Sequence, residues 1–472
     1  MSSDKSINQP SGLKKSLRLI YVYAIAAGAI FTFIGYWDSI FYEYCGPGTF
    51  LAFILMTLLI LPIAMVYCEL APLFPKAGGE LVYNTVGINK HVGFFTSWLI
   101  MAAWIAVPPS AVMAIVTWIF RVFNIQSSFM VIEIVALVAL IGYCFLSLQN
   151  IDIAGKIQLY MLMFAIFGCI VATIAFFMSG VWSFDNFSNF FYSQLDSHFG
   201  IHPWIIGMAM LITPFFGFET VPQMVEEGDF PIKDSNKAIL GSIVTCGIIY
   251  ALFFFGLGGM PVQSLVEAGG AATGGFLAIS MMEQLGGNWG ILAIFFGIAA
   301  ILCAIGTCLL GFWLSTVRLL YAMGDNNFLP KVFTKVNKHQ QPILPNILLL
   351  VISLVFLVMQ NAGTFMNDFF NLMSFGCACA YAITMISAMR IHKQHPEWKS
   401  PYKLKGGNIM RIAALVIAVT IAFFCTLGQS VGSWISFGIY LAVGVALWLW
   451  MVLVNWKKHK VIIQTPDGPK EY

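Results

Sequence analysis

Twelve apolar stretches, each long enough to cross the ~30 Å hydrocarbon core of a bilayer as a helix, recur along this chain and leave no room between them for a soluble domain. They lie at roughly 17–43, 48–73, 93–121, 128–148, 156–179, 203–226, 237–262, 289–322, 342–359, 364–389, 409–428 and 433–456. In hydrocarbon every backbone polar group must find its partner within the protein, so a bundle of helices is the fold such a sequence allows. The chain is 59% hydrophobic and only 10% charged, where soluble domains are about a quarter charged. The expected fold class is therefore an all-α polytopic membrane protein with 12 transmembrane helices.

The basic residues are sorted along this pattern. Of 24 Lys and Arg, only Arg121 falls in a loop on the far side. Lys5, Lys14, Lys15 and Arg18 precede span 1, and Lys457, Lys458, Lys460 and Lys470 follow span 12. The remainder, from Lys76 and Lys90 through Arg318 to Arg411, sit in the loops after even-numbered spans. This is the positive-inside bias, and it fixes span count and orientation together. Both termini are expected in the cytoplasm, with the chain a multi-pass protein of the plasma (inner) membrane. The net charge of +3 is explained by topology, and no nucleic-acid partner is inferred. The partners expected are membrane lipid and a small-molecule substrate; oligomeric state is left open. The first sixteen residues are polar, with no short apolar run ending in a small-residue cleavage site, so the first span is expected to stay.

The ten cysteines lie almost all inside apolar segments without metal-ligand spacing; Cys377 and Cys379 would point about 200° apart on a helix. All seven histidines fall in loops or tails. No cofactor or metal is expected, and without a His cluster, a Ser-His pair or a His-Glu-x-x-His motif the chain does not read as an enzyme.

The organisation reads as an N-terminal cytoplasmic tail at 1–16, spans 1 to 5 at 17–179, spans 6 to 10 at 203–389, spans 11 and 12 at 409–456, and a C-terminal tail at 457–472. The two longest far-side connections are 180–202 and 263–288, the second carrying a Gly-rich stretch at 269–275. Each is either a lid over a site or a plain surface element. Spans 1 and 6 stand apart. The first carries Gly35 and Asp38 near its middle; the sixth carries Pro214, Gly217 and Glu219. Proline removes a backbone donor and glycine leaves the backbone unshielded, so helix breaks form most easily there. A matching pair of interrupted spans, five apart, points to an inverted-repeat transporter with a binding site near the midplane.

A carboxylate near the bilayer centre costs ~2.5–3.5 kcal/mol on insertion scales and marks a functional site by default. Glu219 sits where the second interruption would end. It either binds substrate ammonium, takes up a proton, or hydrogen-bonds the freed backbone amides. Asp38, flanked by Tyr36 and Trp37, combines charge with aromatic faces suited to an organic ammonium, which gives it a substrate or gating role. Glu133 and Asp368 read as interfacial. Glu69, Glu226, Glu227, Asp229 and Asp234 read as an inner ion-pair network with Lys233, Lys237 or Arg318.

Three motifs, in order and with the right spans between them, resemble those of the amino acid-polyamine-organocation transporter family over nearly the whole chain. The loop from Glu69 to Tyr83, with Pro75, Gly78, Gly79 and Tyr83, looks like the family's Pro-x-x-Gly-Gly-x-x-x-Tyr element. Phe216-Gly217-Phe218-Glu219, followed by Glu226 and Glu227, looks like its Gly-Phe-Glu signature. Arg318 through Asp325, with Leu329-Pro330, is similar to its Arg-x-x-Tyr-Ala-Met and Leu-Pro pair. The resemblance implies a 5+5 inverted repeat with interrupted helices 1 and 6, plus two extra C-terminal helices. It also implies that substrate is held by exposed backbone: carbonyls for ammonium, half-helix amides for carboxylate. Carried over by position, Phe33, Ile34 and Gly35 form the first break and Phe215, Phe216, Gly217 and Phe218 the second. Phe312 or Trp313 in span 8 is placed near the site, and Glu219 matches a position used for proton sensing.

Two departures are visible. Phe33-Ile34-Gly35 replaces the family's small-x-Gly triplet, so the pocket is expected to be bulkier. Ala165 stands where the count from Gly155 would place the lysine of some proton-coupled members. H+ through Glu219, Na+, or exchange without a driving ion all stay open. The resulting reading is a secondary active transporter of an amino acid or small amine, its coupling or gating residues Glu219, Asp38 and Trp37. The alternatives are an exchanger without ion coupling and a non-transporting membrane nutrient sensor.

Overall fold

The computed structural model describes residues 12–267, 275–359 and 365–472, with only the helical backbone over 365–372. Lys5, the Gly-rich stretch up to Gly274 and the Asp368 side chain lie outside the described residues. Among those described, ten helices are long and apolar enough to cross a membrane, and two shorter apolar helices, Leu19–Ile30 and Ile343–Met359, accompany them. Their bounds follow the hydropathy pattern to within a few residues, because apolar length and helix length are one quantity in hydrocarbon.

The elements that position the site are these. The first span is split into α1 (Leu19–Ile30) and α2 (Asp38–Cys45); α3 (Thr49–Leu70) follows, then the short α4 (Glu80–Gly87) and the long α5 (Lys90–Val122). After α6 (Phe129–Ser147) and α7 (Ile151–Phe177), the sixth span is split into α8 (Pro203–Met210) and α9 (Thr220–Met224), and α10 is Ser235–Gly258. The far-side connection carries α11 (Gln263–Glu267) and α12 (Leu277–Leu285). Span 8 is α13 (Asn288–Gly297), a π-helical stretch Ile298–Ile305, and α14 (Gly306–Asp325). The remaining helices are α15 (Ile343–Met359), α16 (Phe365–Gln394), α17 (Gly407–Leu427) and α18 (Val431–Trp450).

Burial sorts them into centre and rim. Of the apolar window in α5, 94% is buried, against 17% in the last span. Ile435, Ile439 and Val443 of α18 stay exposed; an apolar surface of that kind is what lipid covers. Lys76, Arg318 and Arg411 mark one end of the bundle, the basic end, and Arg121 marks the other, the far end.

The C-terminal stretch, read from the sequence as a tail, is folded. Ile462–Thr465 and Gly468–Glu471 pair as an antiparallel hairpin. Ile463 of the first strand and Val461 just before it are fully buried. Trp398 Nε1 donates to Asp467 (2.9 Å), Asn327 Nδ2 to the Lys460 carbonyl (2.7 Å) and Lys90 Nζ to the Tyr472 carbonyl (3.0 Å). Period-two burial, absent from the helical spans, is what makes this segment a strand pair.

Candidate functional site

The first interruption begins where α1 runs out of helical partners. Phe31 N still donates to Ala27 O (2.8 Å), but Phe33 N turns to the hydroxyl of Tyr250 on α10 (3.2 Å). That hydroxyl donates in turn to the Ile30 carbonyl (2.6 Å). One side chain thus satisfies a donor and an acceptor that the break sets free, which is how a non-helical segment survives at this depth. Gly35 has φ +84° and Trp37 φ +62°, the left-handed region. A Cβ on Gly35 would come within 2.7 Å of Ala300 Cβ in the π-helical part of span 8. The first break therefore packs on the irregular turn of span 8; such π segments are frequent at functional sites.

The second interruption runs from Leu211 to Glu219, with a short 3-10 turn at Thr213–Phe215. Gly217 has φ +140°, and a Cβ there would lie 2.8 Å from Ile30 N. The two breaks meet backbone to backbone at this glycine, so no other residue fits.

Glu219 is fully buried and closes the break on itself. Its Oε2 accepts from Gly217 N (2.8 Å) and Tyr381 Oη (3.2 Å), and its Oε1 from Trp104 Nε1 (3.2 Å). The carboxylate thus holds a freed amide of its own span while tying α9 to α16 and α5. Among the described residues no Lys, Arg or His pairs with it.

Toward the basic end the polar chain continues. Gln223 accepts from Gly78 N at Oε1 (3.1 Å) and donates from Nε2 to Glu80 Oε2 (3.3 Å). Glu80, the first residue of α4, is fully buried. Its Oε1 and the hydroxyl of Tyr67, also buried, have no hydrogen-bond partner among the described residues. Burial pushes the Glu80 carboxyl up to about 8; the Glu219 charge adds to this, and the Tyr67 hydroxyl and Gln223 amide draw it partly back.

Both ends of this arrangement are closed. At the basic end Arg318, fully buried, gives Nε (2.8 Å) and Nη2 (3.0 Å) to Glu227, and Nη2 (2.6 Å) to Gln341 Oε1. Ser16 N and Leu17 N donate to the Glu227 carbonyl. Lys76 pairs with Glu226 at 2.6 Å, while Lys237 pairs with Asp234 and Glu69 with Arg411. At the far end Trp37 N donates to Gly275 O (3.0 Å), and Asp38 caps α12, accepting from Leu277 N (2.9 Å) and Ala278 N (3.0 Å). Arg121, the one basic residue off the pattern, pairs with Glu283 of α12 and stands over the Phe276 ring.

Both Asp38 oxygens are thus taken by the start of α12. An Asn at 38 turns an amide N–H toward a backbone N–H, losing a charged hydrogen bond worth ~1.5–3 kcal/mol. In Asp38→Asn, hydrogen exchange of the α12 amides should speed up roughly tenfold or more. Unchanged exchange would mean that Asp38 does not hold the segment.

Phe33, Ile34, Phe215, Phe216, Phe218 and Phe312 are all buried. Phe33 packs on Trp37 (5.2 Å between ring centroids), while Phe216 and Phe218 pack on Tyr381 (6.4 and 5.4 Å). Trp313 is turned to Asn346 of α15 (2.8 Å), where Ser147 of α6 also donates. At Ala165 the chain is buried and apolar; the polar residue α7 offers to the neighbourhood of α1 is Gln158, which donates to Thr307 O (2.9 Å). Tyr67, Glu80, Trp104, Gln223, Tyr250 and Tyr381 have no role in the sequence reading. Glu80 carries a signal, a carboxylate directly after Gly78-Gly79; the aromatic residues carry none beyond a polar tip inside an apolar span.

An apolar bundle in which two interrupted helices meet at their breaks around a buried carboxylate is the architecture of a membrane permease. The chain belongs to the amino acid permease family, whose sequence profile matches residues 17–454. It is similar to the methylthioribose transporter of Bacillus subtilis, 22% identical over an alignment 427 positions long that covers 85% of each chain. It is also similar to the branched-chain amino acid permease BcaP of Lactococcus lactis, at 24% identity over 72% of this chain and 73% of that one. The aspartate-proton symporter of Bacillus subtilis is 23% identical over 91% of this chain and 82% of its own.

Proposed function

We propose that this protein is a secondary active transporter that moves an amino acid or small amine across the plasma membrane by alternating access. In this reading twelve spans form a 5+5 inverted repeat with two added helices, and both termini are cytoplasmic. The observation that carries it is the contact of the two breaks at Gly217 and Ile30, beside Glu219. Backbone carbonyls leaving α1 suit an ammonium, and amides entering α9 suit a carboxylate. Phe33, Ile34, Gly35, Phe215, Phe216, Gly217, Phe218 and Phe312 form or flank that space, and Asp38 with Trp37 lies toward the far-end lid. The names of the relatives support the class, since they cover branched-chain amino acids, aspartate and methylthioribose.

The reading is tested with the purified protein in liposomes, measuring counterflow of radiolabelled leucine, aspartate, arginine and methylthioribose. Counterflow of at least one of the three amino acids is expected, and counterflow of methylthioribose alone would overturn the proposed substrate class. Thermal stabilisation by one of these ligands with no flux of any would favour a sensor and sink the transport reading.

A further inference from the structure

We propose that Glu80 is a second proton-binding carboxyl of the transport cycle, which together with Glu219 holds one proton while both ends are closed. The inference rests on the transport reading for its role in a cycle, though the protonation itself can be tested without any substrate.

The geometry separates the two acids. Glu219 has three donors: a backbone amide, an indole N–H and a phenol. It is built as an acceptor, the form a carboxylate takes. Glu80 has the Gln223 amide as its side-chain donor on Oε2, and its Oε1 is buried without a partner among the described residues. An ionised carboxylate so placed is far more costly than a neutral acid.

Among the described residues no positive charge offsets the pair. From α3 Glu80 is faced by Tyr67, from its own helix by Tyr83, from span 6 by Glu219, and from α16 by Cys377 and Tyr381. The titratable residues of α5 are engaged elsewhere: Lys90 with the C-terminal segment, His91 with Trp448 of α18, and Arg121 with α12. The nearest cation along the chain, Lys76, is held by Glu226. Two carboxylates with no cation between them do not both ionise readily, so a charge on one keeps the proton on the other.

Position gives the proton a way out. Glu80, Gln223 and Gly78 form one hydrogen-bonded run that ends beside the Lys76–Glu226 pair. When that pair parts and water reaches α4, the O–H bond of Glu80 breaks, the proton passes to water, and the carboxylate left behind is hydrated. Re-closure requires that a proton return to one of the two acids.

The direct test is pH-difference infrared spectroscopy on the full chain in lipid, reading the C=O stretch of a protonated carboxyl. Wild type should show a band that is lost as the pH rises through the neutral range, and Glu80→Gln should lack it. Glu219→Gln should keep it with its midpoint moved to lower pH, because the repelling charge is gone. Should Glu80→Gln fail to fold, Tyr67→Phe serves, with the midpoint moved to higher pH. A band that persists in Glu80→Gln, a midpoint unmoved by Tyr67→Phe, or no such band in wild type overturns the proposal. Counterflow keeps the two readings apart. Wild-type counterflow whose pH profile is the same in Glu80→Gln removes Glu80 from coupling and leaves transport standing. Absence of wild-type counterflow counts against the transport reading, while the infrared band still decides the protonation.

Discussion

Replacing Arg318 by Ala is expected to destabilise the protein by ~3–5 kcal/mol, the cost of leaving a buried charge without its partner. Glu227 would keep a fully buried carboxylate after losing both guanidinium contacts, and Gln341 would lose its donor. Surface pairs such as Lys237 with Asp234 should contribute far less, since water already solvates them. The double variant Arg318→Met with Glu227→Leu should recover much of the loss, because an apolar pair of similar volume needs no counter-charge. Denaturation in detergent reads the stability. Glu227, which the bridge holds at the ends of spans 6 and 8, also accepts at its backbone carbonyl from Ser16 N and Leu17 N ahead of α1, so a cysteine placed at Ser16 should become more reactive in Arg318→Ala. A single variant within ~0.5 kcal/mol of wild type, the range of neutral surface changes, would show that the bridge does not hold the basic end shut.

Glu219→Gln is expected to lower transport roughly 10- to 100-fold, equivalent to ~1.4–2.7 kcal/mol in the limiting barrier, while the protein still folds. Glutamine keeps the shape but offers one oxygen where the structure uses two. Either orientation of its amide sets an N–H against a donor, the Trp104 indole in one case and Gly217 N in the other. The resulting ~1–3 kcal/mol is a fraction of a typical folding free energy of ~5–15 kcal/mol. The break that Glu219 ties down would loosen, and a titratable group would be gone. Wild-type uptake with an unchanged pH profile in this variant would remove Glu219 from the mechanism.

The features legible in the chain alone are those set by local chemistry. The helices end near the predicted bounds because lipid permits no alternative to satisfied backbone. Gly35 and Gly217 sit in left-handed or strained backbone, as their lack of a side chain allows, and of the readings open for Glu219 the bond to a freed amide is seen directly. The inner ion-pair network is partly legible: Glu227 with Arg318 and Asp234 with Lys237 are among the pairs expected, while Lys76 with Glu226 and Glu69 with Arg411 depend on loops whose approach no spacing shows. The folded C-terminal hairpin is not legible, because it is held by segments more than sixty residues away in sequence, such as the one whose Trp398 donates to Asp467.

The sequence by itself determined the bundle of apolar helices, the sorting of basic charge and the two places where helices break, since each depends on one residue's side chain in its solvent. Tertiary structure alone decided what those residues meet. Asp38, which by sequence suits an ammonium, spends both oxygens on α12. Glu80, by sequence one loop residue among others, is buried with no cation in reach among the described residues. Whether a carboxylate is a cap, a ligand or a proton site depends on donors brought from distant spans, and that information is carried by packing.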